Sequence, residues 1–204
     1  MPPPAPRPTR IQSENRRRIL AAALDAFAER GYAGATLDRI AELAGLSKPN
    51  VLYYFPSKEA IHVELLTALL DDWLAPLAAI DPQGQPLEEL LAYVGRKLEM
   101  SRDMPRESRL FAAEVFEGAP RLGAVLGGRL KALVDEKAAV ITGWQEAGRL
   151  APADPHHLIM SIWALTQHYA DFDAQVRAVL GPGREPMAEA APFLETLFRR
   201  LLAP

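Results

Sequence analysis

Ser47, Lys48, Asn50, Tyr53 and Tyr54 lie within eight consecutive positions of the 204-residue chain. Each carries a group that can reach a phosphate oxygen or a base edge: two kinds of hydroxyl, an ammonium and an amide. A helix serving structure alone has no need of polar donors at its leading end followed by two adjacent tyrosines. Thr36 and Lys58 bracket the group in the stretch TLDRIAELAGLSKPNVLYYFPSK, residues 36–58. Both stand where a helix begins, so both are candidates for bonding a phosphate at a helix N-terminus.

The elements that must position these groups can be read from the same stretch. Ile40, Leu43, Ala44, Leu46 and Val51 can share one small core, and Ala41 is small where two helices cross. Gly45 falls in a tight turn that favours positive φ. Ser47 can cap a second helix, and Pro49 in its first turn sacrifices no intrahelical bond. Pro56-Ser57 stops that helix, and Ser57 starts another. The pattern predicts a helix-turn-helix whose second helix enters a DNA major groove. Taken alone, the turn fits an ordinary helical hairpin equally well.

With RRRILAAALDAFAERGYAGAT in front of it, this stretch resembles the DNA-binding domain of the TetR family of transcriptional regulators. The resemblance implies an all-α protein: an N-terminal three-helix helix-turn-helix domain and a C-terminal helical domain for effector binding and dimerisation. It also implies a double-stranded operator as partner, with Thr36, Ser47, Lys48, Asn50, Tyr53, Tyr54 and Lys58 on the DNA side. Operator chemistry points to a homodimer as well, because one short recognition helix reads too few bases and a twofold pair reads a palindrome.

Outside the motif the chain reads as helix throughout. A Pro-rich basic arm is expected over residues 1–12, the DNA-binding domain over 13–58 and the effector and dimerisation domain over 59–204. Arg7, Arg10, Arg16, Arg17 and Arg18 could track phosphates or simply be solvated. Helices are expected from about 57 to 75, 87 to 102, 106 to 116, 120 to 147, 155 to 180 and 187 to 202, separated by Pro and Gly breaks. No stretch alternates with period two, so no sheet is expected. Leu158, Ile162, Leu165, Tyr169 and Phe172 form one apolar stripe and Phe193, Leu197 and Leu201 another; the last two long helices are the expected dimer contact.

DDWLAPL (71–77), KLEMSRDMPRESRLF (97–111), LKALVDEKAAVITGW (130–144) and APADPHHLIMSIWALTQHYADF (151–172) are similar to regulators of pyrimidine utilisation within the TetR family, which respond to uracil or thymine. The residues themselves allow such a ligand. Trp163, Gln167 and Asp171 recur at four-residue steps on one helix face. With Trp73 they offer an indole for a flat ring and an amide for an imide edge: Gln oxygen to ring N–H, Gln NH₂ to ring carbonyl. Phe111 and Glu114 are further candidates for the wall. Without the resemblance, core tryptophans and a backbone-bonded glutamine are the simpler reading.

Composition bounds the remaining classes. There is no cysteine, which excludes disulfides and thiol chemistry. The N-terminus lacks the apolar core of a secretory signal, and no apolar run is long enough for a membrane helix, so a cytoplasmic protein is expected. Residues 1–58 hold 9 Lys+Arg and 5 Asp+Glu, a balance of +4, whereas residues 59–204 hold 14 and 21, a balance of −7. A basic front on an acidic body suits a polyanion-binding module. Walker, nucleophile-elbow, zincin and dinucleotide motifs are all missing, so neither an enzyme nor a cofactor is expected. Adjacent His156 and His157 point about 100° apart on a helix and are not expected to bind a metal. Other readings remain: a regulator with a different effector, or a protein–protein adaptor built on the same motif.

Overall fold

The computed structural model describes residues 9–204, and the expected arm falls mostly on residues 1–8, outside them. All the regular structure among the described residues is helical. The chain divides into two compact units, Met1–Ala68 and Leu69–Pro204.

The first unit holds α1 (Arg10–Gly34), α2 (Leu37–Ala44), α3 (Lys48–Tyr54) and the opening turns of α4 (Lys58–Ala78). Helix α1 reaches three residues into the arm expected over 1–12, because Thr9 and Gln12 form a capping box. The unit's core gathers Ile19, Ala23, Phe27, Ile40, Val51, Phe55 and Ile61, all essentially buried. Ile61 and Leu65 of α4 belong to this unit, so the division falls after Ala68 rather than at Lys58. Thr36 caps α2 by accepting the Arg39 N–H, and Ser47 caps α3 by accepting the Asn50 N–H. Gly45 closes α2 in the left-handed region at φ +62°, and a Cβ there would meet Arg18 Nη2 at 2.9 Å. That arginine donates to the Ala44 carbonyl at 2.6 Å; the turn needs glycine for its conformation, and a side chain there would also push Arg18 aside.

The second unit continues α4 and adds α5 (Pro86–Asp103), α6 (Pro105–Phe116), α7 (Gly123–Val125), a π-helical turn (Leu126–Leu130), α8 (Lys131–Glu146), α9 (Pro155–Asp171), α10 (Asp173–Leu180) and α11 (Pro186–Leu202). Leu77, Leu90, Tyr93, Leu98, Ile141, Trp144, Ile159, Ile162, Leu194 and Phe198 form its core. The single helices expected over 120–147 and 155–180 are interrupted. The π turn carries Gly127-Gly128, whose freedom lowers the cost of the wider turn. The chain unwinds at Phe172, where φ is −116° and ψ is 30°. The stripe expected on α9 splits accordingly: Leu158 and Ile162 are buried, whereas Leu165 and Phe172 face solvent. On α11, Leu194 and Phe198 fill the core while Phe193, Leu197 and Leu201 are exposed on the other side.

Candidate DNA interface and effector cavity

Helix α3 is short, and only Val51 is buried along it. Lys48, Asn50 and Tyr53 are exposed, Tyr53 at 71%. Thr36 and Ser47 spend an oxygen lone pair on their caps, which leaves each hydroxyl hydrogen available to donate elsewhere. Lys48 reaches Asp38 at 2.9 Å, an exposed pair that DNA phosphate can replace. Tyr54 is half-buried, and its hydroxyl accepts a bond from Asn15 at 3.0 Å.

Lys58 stands differently from the phosphate role expected of it. Its ammonium donates to the carbonyls of Tyr32 at 2.7 Å and Ala35 at 2.9 Å, and lies 4.5 Å from the centre of the Tyr32 ring. It gathers the carbonyls of the short turn that follows the break in α1 at Gly31, where φ is +66°, a favourable place for a cation. Lys58→Met should therefore lower the melting temperature of the first unit, by on the order of 1–3 kcal/mol of stability. The salt slope of operator binding should stay unchanged; a slope reduced by a full unit would restore the phosphate role. Arg16 and Arg18 are likewise committed. Arg16 donates to Glu64 and to the Tyr54 carbonyl and covers the Phe55 ring at 4.3 Å, and Arg18 holds the Ala44 carbonyl. Arg17 pairs with Glu14 on the surface.

In the second unit, Trp73 of α4, Lys97, Met100 and Ser101 of α5, Ser108 of α6 and Gln167 of α9 line one small, closely packed cavity, filled by its own walls so that a ligand enters only if they part. Phe111 packs its edge on Trp73 with ring centres 5.0 Å apart and braces that wall. Asp171 accepts the Ser108 hydroxyl at 2.6 Å, so Ser108 presents lone pairs to its other surroundings. Ser101 donates back to the Lys97 carbonyl at 3.1 Å. Lys97 is 4% exposed, with its ammonium 5.5 Å from the Trp73 ring centre. Burial lowers its pKa to about 8 against the opposing charge of Asp171. Burial likewise raises the Asp171 carboxyl, opposed by the Ser108 bond.

Two of the expected wall residues stand elsewhere. Trp163 donates its indole N–H to the Tyr93 hydroxyl at 2.6 Å and packs on the core of the unit. Glu114 is buried against Arg121, accepting from its backbone N–H at 2.8 Å and its guanidinium at 2.6 Å. It fixes the turn after α6, where Gly118 and Ala119 both have positive φ. Conversely, Lys97, Met100, Ser101 and Ser108 were not anticipated. A lysine within a helix reads as a solvated residue, and only the three-residue step from Ser108 to Phe111 places that serine near the expected wall.

Comparison with known proteins agrees with this architecture. Residues 19–65 match the family model described as bacterial regulatory proteins, tetR family, and residues 66–204 match that of the YcdC-like protein, C-terminal region. The HTH-type transcriptional regulator RutR of Escherichia coli (strain K12) is 55% identical over 173 residues, covering 85% of this chain and 82% of its own. Among solved structures, the Streptomyces coelicolor transcriptional regulator SCO4942 superposes with a TM-score of 0.70 at 29% identity, over 92% of this chain and 98% of its own. AibR, in complex with isovaleryl coenzyme A and operator DNA, shares the fold with a TM-score of 0.70 at 19% identity, over 90% of this chain and 97% of its own. No helix among the described residues is long and apolar enough to cross a membrane. From its basic helix-turn-helix front to its C-terminal helices, the chain belongs to the TetR family of transcriptional regulators, DNA-binding proteins with a helix-turn-helix head.

Proposed function

We propose that the protein is a dimeric repressor released from a palindromic operator by a pyrimidine base such as uracil or thymine. The observation that carries this reading is the cavity between Trp73 and Gln167. It brings an indole, an ammonium, an amide and a hydroxyl together in a lining that suits an imide, and a base would enter by parting its closely packed walls. Lys97 and the Gln167 NH₂ are donors for ring carbonyls; Ser108, with its own hydrogen held by Asp171, and the Gln167 oxygen are acceptors for ring N–H. Trp73 supplies the flat face. The resemblance of 71–77 and 151–172 to regulators of pyrimidine utilisation supports the same ligand. Phe193, Leu197, Leu201 and Val179 supply an exposed apolar face on α10 and α11 for a second copy. Thr36, Ser47, Lys48, Asn50, Tyr53 and Tyr54 form the DNA side. Release follows if the base binds more tightly to conformations of the dimer that do not match the operator.

A thermal-shift panel tests the reading. At a hundredfold excess over Kd a ligand selective for the native state adds about 2.7 kcal/mol. For a chain of this size that is a rise of roughly 5–10 °C. Uracil and thymine should produce it, and should also displace the protein from its operator. Cytosine puts an amine where uracil has a carbonyl, and should bind more weakly by on the order of 1–3 kcal/mol. Gln167→Leu should remain folded and bind operator without responding to uracil. If neither uracil nor thymine shifts the wild-type protein, the effector class is wrong and a regulator with another ligand is left.

A further inference from the structure

Gln12, Asn15 and Arg16 stand at i, i+3 and i+4 on one face of α1. All three donate to the last residues of the recognition helix. Gln12 reaches the Tyr53 hydroxyl at 3.4 Å, Asn15 the Tyr54 hydroxyl at 3.0 Å and Arg16 the Tyr54 carbonyl at 3.1 Å. The two tyrosine rings meet edge to face, with centres 5.1 Å apart.

The direction of the Gln12 bond follows from its other end. The Gln12 Oε1 accepts the Thr9 backbone N–H at 2.8 Å within the capping box, so Nε2 is the atom left to face Tyr53. An amide NH₂ can only donate, so the Tyr53 oxygen accepts and its own hydrogen points away from α1. Phosphate oxygens only accept. A tyrosine held in this way offers DNA the partner it needs, at no cost in hydroxyl orientation on binding. Asn15 acts on Tyr54 through the same chemistry.

We propose that Gln12 and Asn15 are positioning residues for operator binding: they act through the hydroxyls of Tyr53 and Tyr54, which they orient as donors to the DNA backbone. The start of α1 thereby contributes to affinity through α3. This rests on the reading that Tyr53 and Tyr54 meet operator DNA.

A double-mutant cycle on the full-length protein tests it, with operator affinity read by fluorescence anisotropy at fixed salt. Gln12→Ala should weaken binding by roughly 3- to 10-fold, the range of one hydrogen bond. In the Tyr53→Phe background the same change should cost less than about twofold, because the hydroxyl it orients is gone. Equal losses in both backgrounds would overturn the proposal, since fraying of α1 or direct contact of Gln12 with DNA is additive with loss of the hydroxyl. Tyr53→Phe at full wild-type affinity would overturn both the proposal and the DNA-contact reading beneath it. Asn15→Ala with Tyr54→Phe forms the second cycle, with the same expected non-additivity.

Discussion

Uracil affinity is expected to fall as pH rises through about 8, the range in which the buried Lys97 loses its proton. Lys97→Met should abolish both the pH dependence and most of the affinity. The sign follows from what the ligand needs. A ring carbonyl accepts a hydrogen bond better from an ammonium than from an amine, so bound uracil raises the Lys97 pKa above its ligand-free value. Affinity is then level below about pH 7. Between the free and bound pKa values it weakens about tenfold per pH unit. A charge-assisted bond of this kind contributes on the order of 1.5–3 kcal/mol, so the methionine variant should bind roughly 10- to 150-fold more weakly at pH 7. The same variant should be more stable without ligand. Burial holds the Lys97 pKa below its value in the unfolded chain, so carrying the charge at neutral pH destabilises the native state, and that cost fades as pH rises from about 8 towards 10.5. Removing the lysine should recover on the order of 1–3 kcal/mol at pH 7, a trade of stability for function. Calorimetric titration from pH 6 to 10, beside thermal melts of both proteins, checks the two effects. A flat wild-type profile would separate Lys97 from the ligand.

What the sequence made legible depends on how local the governing rule is. Thr36, Gly45, Ser47 and Pro49 act through their own backbone neighbourhood, so the caps and the turn of the helix-turn-helix could be read before any tertiary contact was known. The same rule covers Thr9 and Gln12, but the Pro-rich residues before them masked the start of α1. The break at Phe172 was missed because apolar residues continue on both sides of it; no glycine or proline marks the position. The cavity was partly legible. Trp73 and Gln167 were visible as an indole and an amide, whereas Lys97 and Ser108 become distinctive only when α4, α5, α6 and α9 enclose them. Trp163 shares a helix face with Gln167, yet its N–H turns to Tyr93, a choice set by a partner 70 residues away in sequence. Lys58 shows the same limit, since a lysine opening a helix can meet a phosphate or another helix's carbonyls, and only the packing of α1 decides.

Arg121→Leu is expected to destabilise the second unit strongly, by about 3–5 kcal/mol. The Glu114 side chain is only 1% exposed and that of Arg121 17%, so the pair is largely removed from water. Replacing the guanidinium leaves a buried carboxylate facing leucine, and the carboxylate's desolvation is no longer offset by the opposite charge. The effect should reach beyond the turn. Helix α6 carries Ser108 and Phe111 at the cavity as well as Glu114 at its far end, and Glu114 also accepts the Arg121 backbone N–H that shapes the chain after Gly118-Ala119. Loosening that end should let α6 shift against α9, weakening the 2.6 Å bond from Ser108 to Asp171 and, with it, uracil binding. The double replacement Glu114→Leu with Arg121→Leu should recover part of the stability, because it removes both charges rather than stranding one. It should not recover all of it, since the Arg121 N–H loses its acceptor. Denaturant melts of the two single variants and the double variant give the cycle. An Arg121→Leu protein that melts within about 1 kcal/mol of wild type would show that the pair contributes little, and that the turn after α6 is held by packing around Leu122 instead.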